Sequence, residues 1–167
     1  MNKLTLTKYY FLFMETAQTS VAKSALYMSL LTLILCSGAL AIINIFHDFQ
    51  HGQVWMDAPP AIVLFVLLVI LAPTLETALL ATFVIIFQKV RVENTIIASL
   101  FALVMAYFHS EDPVRGIIVT IPFFLWTYFY ASTRKKLTDR AWKIIFFAHA
   151  FHNAAIVMIV TAEPAFT

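Results

Sequence analysis

Long apolar segments limit what this chain can fold into. About 20 consecutive apolar residues are needed for a helix to cross the hydrocarbon core of a bilayer. Because lipid offers no hydrogen bonds to the backbone, and no segment alternates apolar and polar residues as barrel strands do, helices are the remaining option. We therefore predict an all-α, polytopic membrane helix bundle with about five transmembrane helices. The apolar segments are residues 24–46, 60–87, 94–109 (which is short), 113–131 and 141–161.

The composition agrees with a membrane protein and argues against a soluble domain. Hydrophobic residues make up 62% of the chain and charged residues 12%, and the mean hydropathy is +0.87. Soluble domains carry about 25% charged residues. Cys36 is the single cysteine, so no intrachain disulfide can form, and we expect Cys36 to be a packing residue rather than a nucleophile.

The apolar pattern divides the chain into three parts. Residues 1–23 form an N-terminal cytoplasmic or interfacial segment, in which residues 9–22 are either an amphipathic helix at the membrane surface or an apolar tail. Residues 24–161 form the transmembrane domain, and residues 162–167 a C-terminal tail.

The distribution of Lys and Arg predicts the orientation. Basic residues precede the first apolar segment, join the second to the third, and lie between the fourth and the fifth, whereas only Arg115 falls on the opposite side. The positive-inside rule then places the N-terminus in the cytoplasm and the C-terminus outside, with an odd number of spans. We predict a multi-pass protein of a bacterial cytoplasmic (inner) membrane. Since topology accounts for the basic loops, no nucleic-acid partner is expected.

Polar residues inside the apolar segments are candidates for function. An ionisable side chain near the bilayer centre costs at least about 2.5–3.5 kcal/mol on insertion scales. The residues are Glu76, His109, His149, His152 and Asn153. His149 and Asn153 are four residues apart and share a helix face. Taken singly, Glu76 could be a structural partner of a histidine, His109 an interfacial residue and Asn153 a helix-packing residue.

Together these side chains are what a buried hydrolytic site needs. A carboxylate in a dry pocket can act as a general base on water, a histidine can orient that water, and a second histidine with an amide can stabilise an oxyanion. Pro73 removes a backbone hydrogen bond and can kink the second segment just before Glu76, which would admit water. For His152, a place in the same cavity and a role in helix packing are equally plausible.

Three short motifs carry a family resemblance. APTLETALLA (72–81) is similar to the pattern A-P-x-x-E-E-x-x-F-R, MAYFH (105–109) to F-x-x-x-H, and HAFHN (149–153) to H-x-x-x-N. In this order they resemble the motifs of the CPBP (Abi, or CAAX-type) intramembrane proteases. The family also includes prenyl-protein endopeptidases and bacteriocin-processing or self-immunity proteins. The positions at which the chain departs from its pattern include Thr77, Ala81 and Met105, where the family has Glu, Arg and Phe.

The resemblance implies an intramembrane endopeptidase that hydrolyses a peptide bond of a membrane-associated peptide or protein. Glu76 would activate water together with His109, and His149 and Asn153 would form the oxyanion side. The implied mechanism needs no obligatory metal, with zinc as the alternative cofactor, and the chain has no H-E-x-x-H spacing. The expected partners are a peptide or membrane-protein substrate and the lipid bilayer.

Two other functions stay open. The altered first motif is compatible with a non-catalytic immunity or scaffold protein that holds a peptide in the same cavity. Glu76 and the histidines could instead relay protons, although a secondary transporter usually contains an internal repeat and this chain has none.

The remaining polar residues have simpler explanations. We expect the hydroxyls of Thr74 and Thr77 to bond to their own helix backbone. The loop residues His47, Asp48, His51 and Asp57 are expected to be solvated rather than to bind a metal.

Overall fold

The described part of the chain is helical throughout. A computed structural model describes residues 15–46, 60–110 and 113–162, and these ranges contain no β-strand. The predicted all-α class is confirmed. The helices are α1 (Val21–Phe46), α2 (Ala61–Phe65), a π-helical segment (Val66–Leu71), α3 (Ala72–Lys89), α4 (Asn94–Phe108), α5 (Pro113–Leu137) and α6 (Asp139–Ala162).

Within the described ranges, four stretches of helix are long and apolar enough to cross a membrane, which indicates a membrane protein. They are Val21–Ile45, Ala61–Lys89, Pro113–Leu137 and Asp139–Ile159. The second stretch joins α2, the π segment and α3 end to end. The third apolar segment, predicted to be short, forms the 15-residue helix α4. The predicted fourth segment ended at residue 131, but α5 continues to Leu137. Its last turn carries Arg134, Lys135 and Lys136.

Many large apolar side chains of the bundle are exposed, and some polar side chains are buried. Large apolar side chains such as Ile34, Ile45 and Leu103 are exposed, whereas Thr32 and Thr133 are buried. Such a surface is expected where lipid rather than water surrounds the helices, because apolar side chains lose nothing by facing lipid tails.

The N-terminal segment packs on the bundle where it is described. Residues 15–19 are helical, and Ala17 is fully buried in the core cluster. The guanidinium of Arg140 donates a hydrogen bond to the carbonyl of Gln18. Residues 9–14 of the predicted interfacial helix lie outside the described ranges, as do the loop 47–59 and most of the predicted tail.

Two helix pairs form most of the interior. Helix α4 packs along α5, and α1 packs along α6. The main core cluster contains Phe101 from α4, Trp126 from α5 and Ile144 from α6, all of them almost fully buried. A second cluster joins Val69 of the π segment to Ala150 and Val157 of α6.

A polar network closes the end of the bundle that carries the basic residues. The amide of Gln88 donates to Asn94 Oδ1 and to the carbonyl of Ala131, each at 2.8 Å. The guanidinium of Arg134 donates to Gln88 Oε1 at 2.6 Å. These hydrogen bonds therefore hold three parts of the bundle side by side: the end of α3, the start of α4 and the last turns of α5.

The α4–α5 hairpin reaches only part of the way along the bundle. With a rise of 1.5 Å per residue, the 15 residues of α4 span about 22 Å. Gly116 of α5 lies against Ala106 and Ser110, so the tip of the hairpin is at the end of α4. His109 at this tip lies beside Glu76, near the middle of the second apolar stretch. Beyond this level, α1, α2 and α6 continue without the hairpin.

Candidate functional site

Glu76 lies between two histidines from different helices. Its Oε1 is 4.0 Å from His109 Nε2 at the end of α4, and its Oε2 is 3.3 Å from His149 Nε2 in α6. The side chains of Glu76 and His109 are about one-fifth exposed (21% and 20%), whereas that of His149 is 5% exposed. Three residues that were selected because they are costly in lipid are thus brought together, and one side of the group stays open.

The backbone of α4 orients His109. His109 follows the last residue of the helix, and its Nδ1 lies 2.7 Å from the carbonyl of Met105. Because a carbonyl can only accept, Nδ1 carries the proton and donates it. In the neutral ring, Nε2 then has a free lone pair directed to the Glu76 side.

Asn153 contacts the π segment rather than the carboxylate. Its Nδ2 donates to the carbonyl of Leu68 at 2.7 Å. His149 and Asn153 share a face of α6, as their spacing predicted, but the two side chains reach different parts of the same neighbouring helix. His149 reaches Glu76 in α3, and Asn153 reaches the backbone eight residues earlier.

Two aromatic residues of α5 that the sequence analysis did not select form one wall of the site. The ring of Phe123 lies 6.1 Å from that of His109 and 5.5 Å from that of His149, centroid to centroid. The ring of Trp126 lies 4.5 Å from that of His149. Sixteen Phe residues occur in the chain, so nothing in the sequence separates Phe123 from the aromatic residues that face lipid or the core.

His152 connects α6 to α1. Its Nδ1 lies 2.9 Å from Thr32 Oγ1, and the Thr32 hydroxyl donates its hydrogen to the carbonyl of Ser29 at 2.9 Å. Since that hydroxyl has only one hydrogen, His152 Nδ1–H must be the donor to Thr32. The ring of His152 also packs edge-on against Trp126. This geometry favours the packing role for His152.

The two threonines beside Glu76 behave differently. Thr74 donates to the carbonyl of Ile70 at 2.6 Å, so the prediction for this residue is confirmed. The prediction for Thr77 is wrong, because its buried hydroxyl has no hydrogen-bond partner among the described residues. Thr77 faces the packed interior with 1% exposure, and the neighbouring carbonyl of Pro73 does not accept from it. The indole N–H of Trp126 and the hydroxyl of Thr127 are also buried without a partner in the described ranges.

The donor set does not suit a bound metal. A zinc site needs at least three protein ligands at about 2.0–2.1 Å from the ion for nitrogen and oxygen. Within residues 15–46, 60–110 and 113–162, no group of three or more His, Cys, Asp or Glu side chains is arranged to hold a metal ion. The 4.0 Å separation of Glu76 and His109 is wide for two ligands of one zinc ion. The loop residues His47, Asp48, His51 and Asp57 lie outside the described ranges.

Comparisons with known proteins give no assignment. No family model, no curated protein and no solved structure matches the chain. The resemblance to the CPBP proteases therefore rests on the three short motifs and on the residues that they place together.

Proposed function

We propose that this protein is an intramembrane endopeptidase that uses Glu76 to activate water. The observation that carries the proposal is the group of one carboxylate and two histidines, contributed by three helices, inside a bundle whose helices include four stretches long and apolar enough to cross a membrane. Ionisable residues at such a depth usually mark a functional pathway or site. The motif resemblance supports the same reaction.

The gap between Glu76 and His109 has the size of a water-binding site. Both facing atoms, Glu76 Oε1 and His109 Nε2, are acceptors when the carboxylate is ionised and the imidazole is neutral. A water molecule that donates one hydrogen to each would hold two acceptors about 4.4 Å apart, given hydrogen bonds of about 2.8 Å. The observed separation is 4.0 Å. The lone pairs of that water would point away from both residues, toward a substrate carbonyl carbon.

The proposed reaction has two proton transfers. Glu76 takes a proton from the water while the water oxygen attacks the carbonyl carbon of the peptide bond, and His109 keeps the water oriented. The tetrahedral intermediate carries one negative charge on the former carbonyl oxygen. As the C–N bond breaks, the protonated Glu76 gives its proton to the leaving amine, and the products are a carboxylic acid, which then loses its proton to water or to the amine, and a free amino terminus.

His149 fits the role of orienting Glu76. Its Nε2 lies 3.3 Å from Oε2, the carboxylate oxygen that does not face His109. In the neutral ring with the proton on Nε2, His149 donates to this oxygen and leaves Oε1 directed at the water. Phe123 contacts both histidines and would limit their movement.

The substrate would be a membrane-associated peptide or protein with an unwound segment. In a helix the peptide carbonyl is bonded to the backbone and shielded by side chains, so attack requires local unfolding. A multi-pass protein of the bacterial cytoplasmic membrane is the cellular setting that we propose, on the basis of the basic loops and the apolar helices.

The first experiment is co-expression with tagged small membrane peptides, with cleavage products identified by mass spectrometry. We expect a product with the wild-type protein and none with Glu76→Gln, which keeps the size of the side chain but removes the base. The matched control is Glu93→Gln, which makes the same chemical change at an exposed residue just before α4 and should leave cleavage unchanged. A product that persists in Glu76→Gln would exclude the glutamate mechanism.

Metal dependence can be measured in the same assay. Since the donor set does not fit a metal, cleavage should continue after treatment with a strong zinc chelator. Loss of cleavage on chelation, with recovery on adding Zn²⁺, would favour the zinc alternative.

One observation favours a non-catalytic peptide-binding protein instead. Two of the three charged residues of the family's first motif are replaced by Thr77 and Ala81, and both side chains are buried. Glu76 therefore has no neighbouring Glu or Arg from its own helix at these positions. For a binding or immunity protein, a peptide would co-purify equally with the wild type and Glu76→Gln, and no cleavage product would form with either.

A further inference from the structure

The backbone changes its hydrogen-bond register just before Pro73. The N–H of Ala72 donates to the carbonyl of Leu67, five residues back, as is typical of a π-helix. In the same register, the next donor would be the nitrogen of residue 73, and its acceptor would be the carbonyl of Leu68. Residue 73 is proline, which has no N–H. The carbonyl of Leu68 therefore loses its backbone donor.

A side chain from another helix takes the place of that donor. Asn153 Nδ2 of α6 lies 2.7 Å from the Leu68 carbonyl. A buried carbonyl without a donor costs about 1–3 kcal/mol, and lipid supplies no alternative partner. Leu68 and Val69 also pack against Ala150, Ala154 and Val157 of α6, so the contact lies within a packed helix interface.

We infer that Asn153 is a positioning residue that holds the π segment and thereby aims the Glu76 carboxylate at His149. Leu68 and Glu76 are on one continuous stretch of helix, and Asn153 and His149 are one turn apart on α6. Helix α6 thus fixes its neighbour at two points, through the Leu68 carbonyl at 2.7 Å and the Glu76 carboxylate at 3.3 Å. In this role Asn153 acts through the backbone and need not contact the reacting atoms. The part of the inference that concerns catalysis rests on the proposed function.

The pairing of Pro73 with Asn153 predicts a specific coupling. In Pro73→Ala, residue 73 regains an N–H that can donate to the Leu68 carbonyl, so that Asn153 becomes redundant for this acceptor. Asn153→Leu keeps the approximate size of the side chain and removes the donor. We therefore expect Asn153→Leu to lower the unfolding midpoint in detergent micelles, and to lower it about half as much or less in the Pro73→Ala background.

A matched control separates this coupling from a general effect of removing an amide. Asn44 is an exposed residue of the apolar helix α1. Asn44→Leu makes the same chemical change away from Pro73, and its effect on the midpoint should be equal in the wild-type and Pro73→Ala backgrounds. If Asn153→Leu also has the same effect in both backgrounds, the inference is overturned.

A spectroscopic readout tests the effect on Glu76. The ¹⁵N chemical shifts of the His149 imidazole report whether Nε2–H is bonded to the carboxylate. We expect Asn153→Leu to move these ¹⁵N chemical shifts in the same direction as Glu76→Gln does. In Pro73→Ala/Asn153→Leu the shifts should return toward the wild-type values. Unchanged His149 signals in a folded Asn153→Leu protein would overturn the positioning role. If Asn153→Leu does not fold, Asn153→Ala provides a smaller change for the same measurement.

These measurements need no substrate, so the inference can fail or succeed independently of the protease proposal. If cleavage is detected, its rate gives an additional test. The rate should fall in Asn153→Leu and recover in Pro73→Ala/Asn153→Leu. An amide that directly stabilises the oxyanion would not be replaced by a backbone N–H at residue 73, so absence of recovery would contradict the inference.

Discussion

The hydrogen bond between His152 and Thr32 joins α6 to α1. Thr32→Val removes the acceptor of His152 Nδ1–H and keeps the shape of the side chain. Since His152 is buried, its donor would be left unpaired in a dry interior. We expect the free energy of unfolding to fall by about 1–2 kcal/mol, measured by denaturation in micelles.

Thr120→Val is the control for this substitution. The Thr120 hydroxyl donates only within its own helix, to the carbonyl of Ile117, so its loss should change stability by no more than about 0.5 kcal/mol. Equal effects of the two Thr→Val substitutions would show that the bond between His152 and Thr32 has no net stabilising effect.

The two ring nitrogens of His109 have separate tasks, and two amide substitutions distinguish them. In His109→Asn, the side-chain amide can replace Nδ1–H as donor to Met105 but cannot reach Glu76. His109→Gln is longer and can place a polar atom near the position of Nε2. Under the proposed mechanism, we expect cleavage to be lost in His109→Asn although the protein stays folded.

His109→Gln should retain more cleavage than His109→Asn, because part of the water-orienting contact is kept. The comparison is made by quantifying the product, with folding checked by helix content and unfolding midpoint. If His109→Asn cleaves as well as the wild type, Nε2 does not take part in the reaction.

At the scale of single residues, the sequence predicted the ionisable part of the site but not its surroundings. Glu76, His109 and His149 could be predicted to meet because each is costly to bury in lipid without a partner. The target of Asn153 could not be predicted, since it depends on a local change of backbone register beside Pro73. Phe123 and Trp126 could not be predicted either, because aromatic residues are common throughout the chain.

The approach of α4 and α5 depends on a glycine. A Cβ added at Gly116 would lie 3.2 Å from the carbonyl oxygen of Ala106 and 3.5 Å from Ser110 Cα. These are backbone atoms of the turn that carries His109, so they can move away from an added Cβ only if α4 and α5 move apart. Gly116→Ala should therefore lower stability, in spite of the better helix propensity of Ala.

Gly38 provides the matched control on another helix. A Cβ at Gly38 meets nothing within 4 Å, so Gly38→Ala should be neutral or stabilising. We expect the two Gly→Ala substitutions to differ by about 1 kcal/mol or more in the free energy of unfolding. A stabilising Gly116→Ala would show that the α4–α5 turn can shift without cost.

In the turn between α5 and α6, a substitution is expected to raise the stability of the protein rather than lower it. Thr138 has a φ of 48° and is exposed, and its N–H donates to the carbonyl of Arg134 at 2.9 Å. This is the left-handed position that commonly ends a helix and that favours glycine. Thr138→Gly should stabilise the protein by about 1 kcal/mol.

Thr138→Val keeps the β-branch and serves as the control for Thr138→Gly. Its unfolding midpoint should equal that of the wild type or lie below it. If Thr138→Gly and Thr138→Val give the same midpoint, the backbone at residue 138 is not strained enough to affect stability.

At the scale of helices, the apolar segments were predictable in number and approximate position. The end of α5 was not, because the apolar run stops at residue 131 whereas the helix continues to Leu137. Arg134 in this last part bonds to Gln88 of α3, a contact between distant residues that an apolar pattern does not show. The π segment was not predicted either. A π register differs from an α register by one residue, and VLLVIL contains no residue type that specifies it.

For the whole molecule, the short α4–α5 hairpin determines how water can reach the site. The hairpin ends at the level of Glu76, whereas α6 continues for 13 residues beyond His149, or about 20 Å. Among the residues that the structure describes, that part of the bundle contains α1, α2 with the π segment, and α6. The exposed residues Ser110 and Arg115 at the tip would be unstable in lipid, so we expect this region to be hydrated.

The positive-inside rule predicts the side from which that water comes. The basic ends of α3 and α5 lie together through Gln88 and Arg134, and the hairpin tip is at the opposite end of α4. If the basic end is cytoplasmic, the tip and the site open toward the outside. Cysteine labelling in a Cys36→Ala background tests this arrangement with Ser110→Cys, because both Ser110 and the control position Lys136 are exposed.

A membrane-impermeant maleimide should label Ser110→Cys in intact cells, and should label Lys136→Cys only after the membrane is opened. The reverse pattern would show that the orientation is inverted and that the site opens to the cytoplasm. If Ser110→Cys reacts in neither case while Lys136→Cys does react, the hairpin tip is not hydrated. Hydrolysis at Glu76 would then have no water supply, so the same outcome would count against the proposed protease activity.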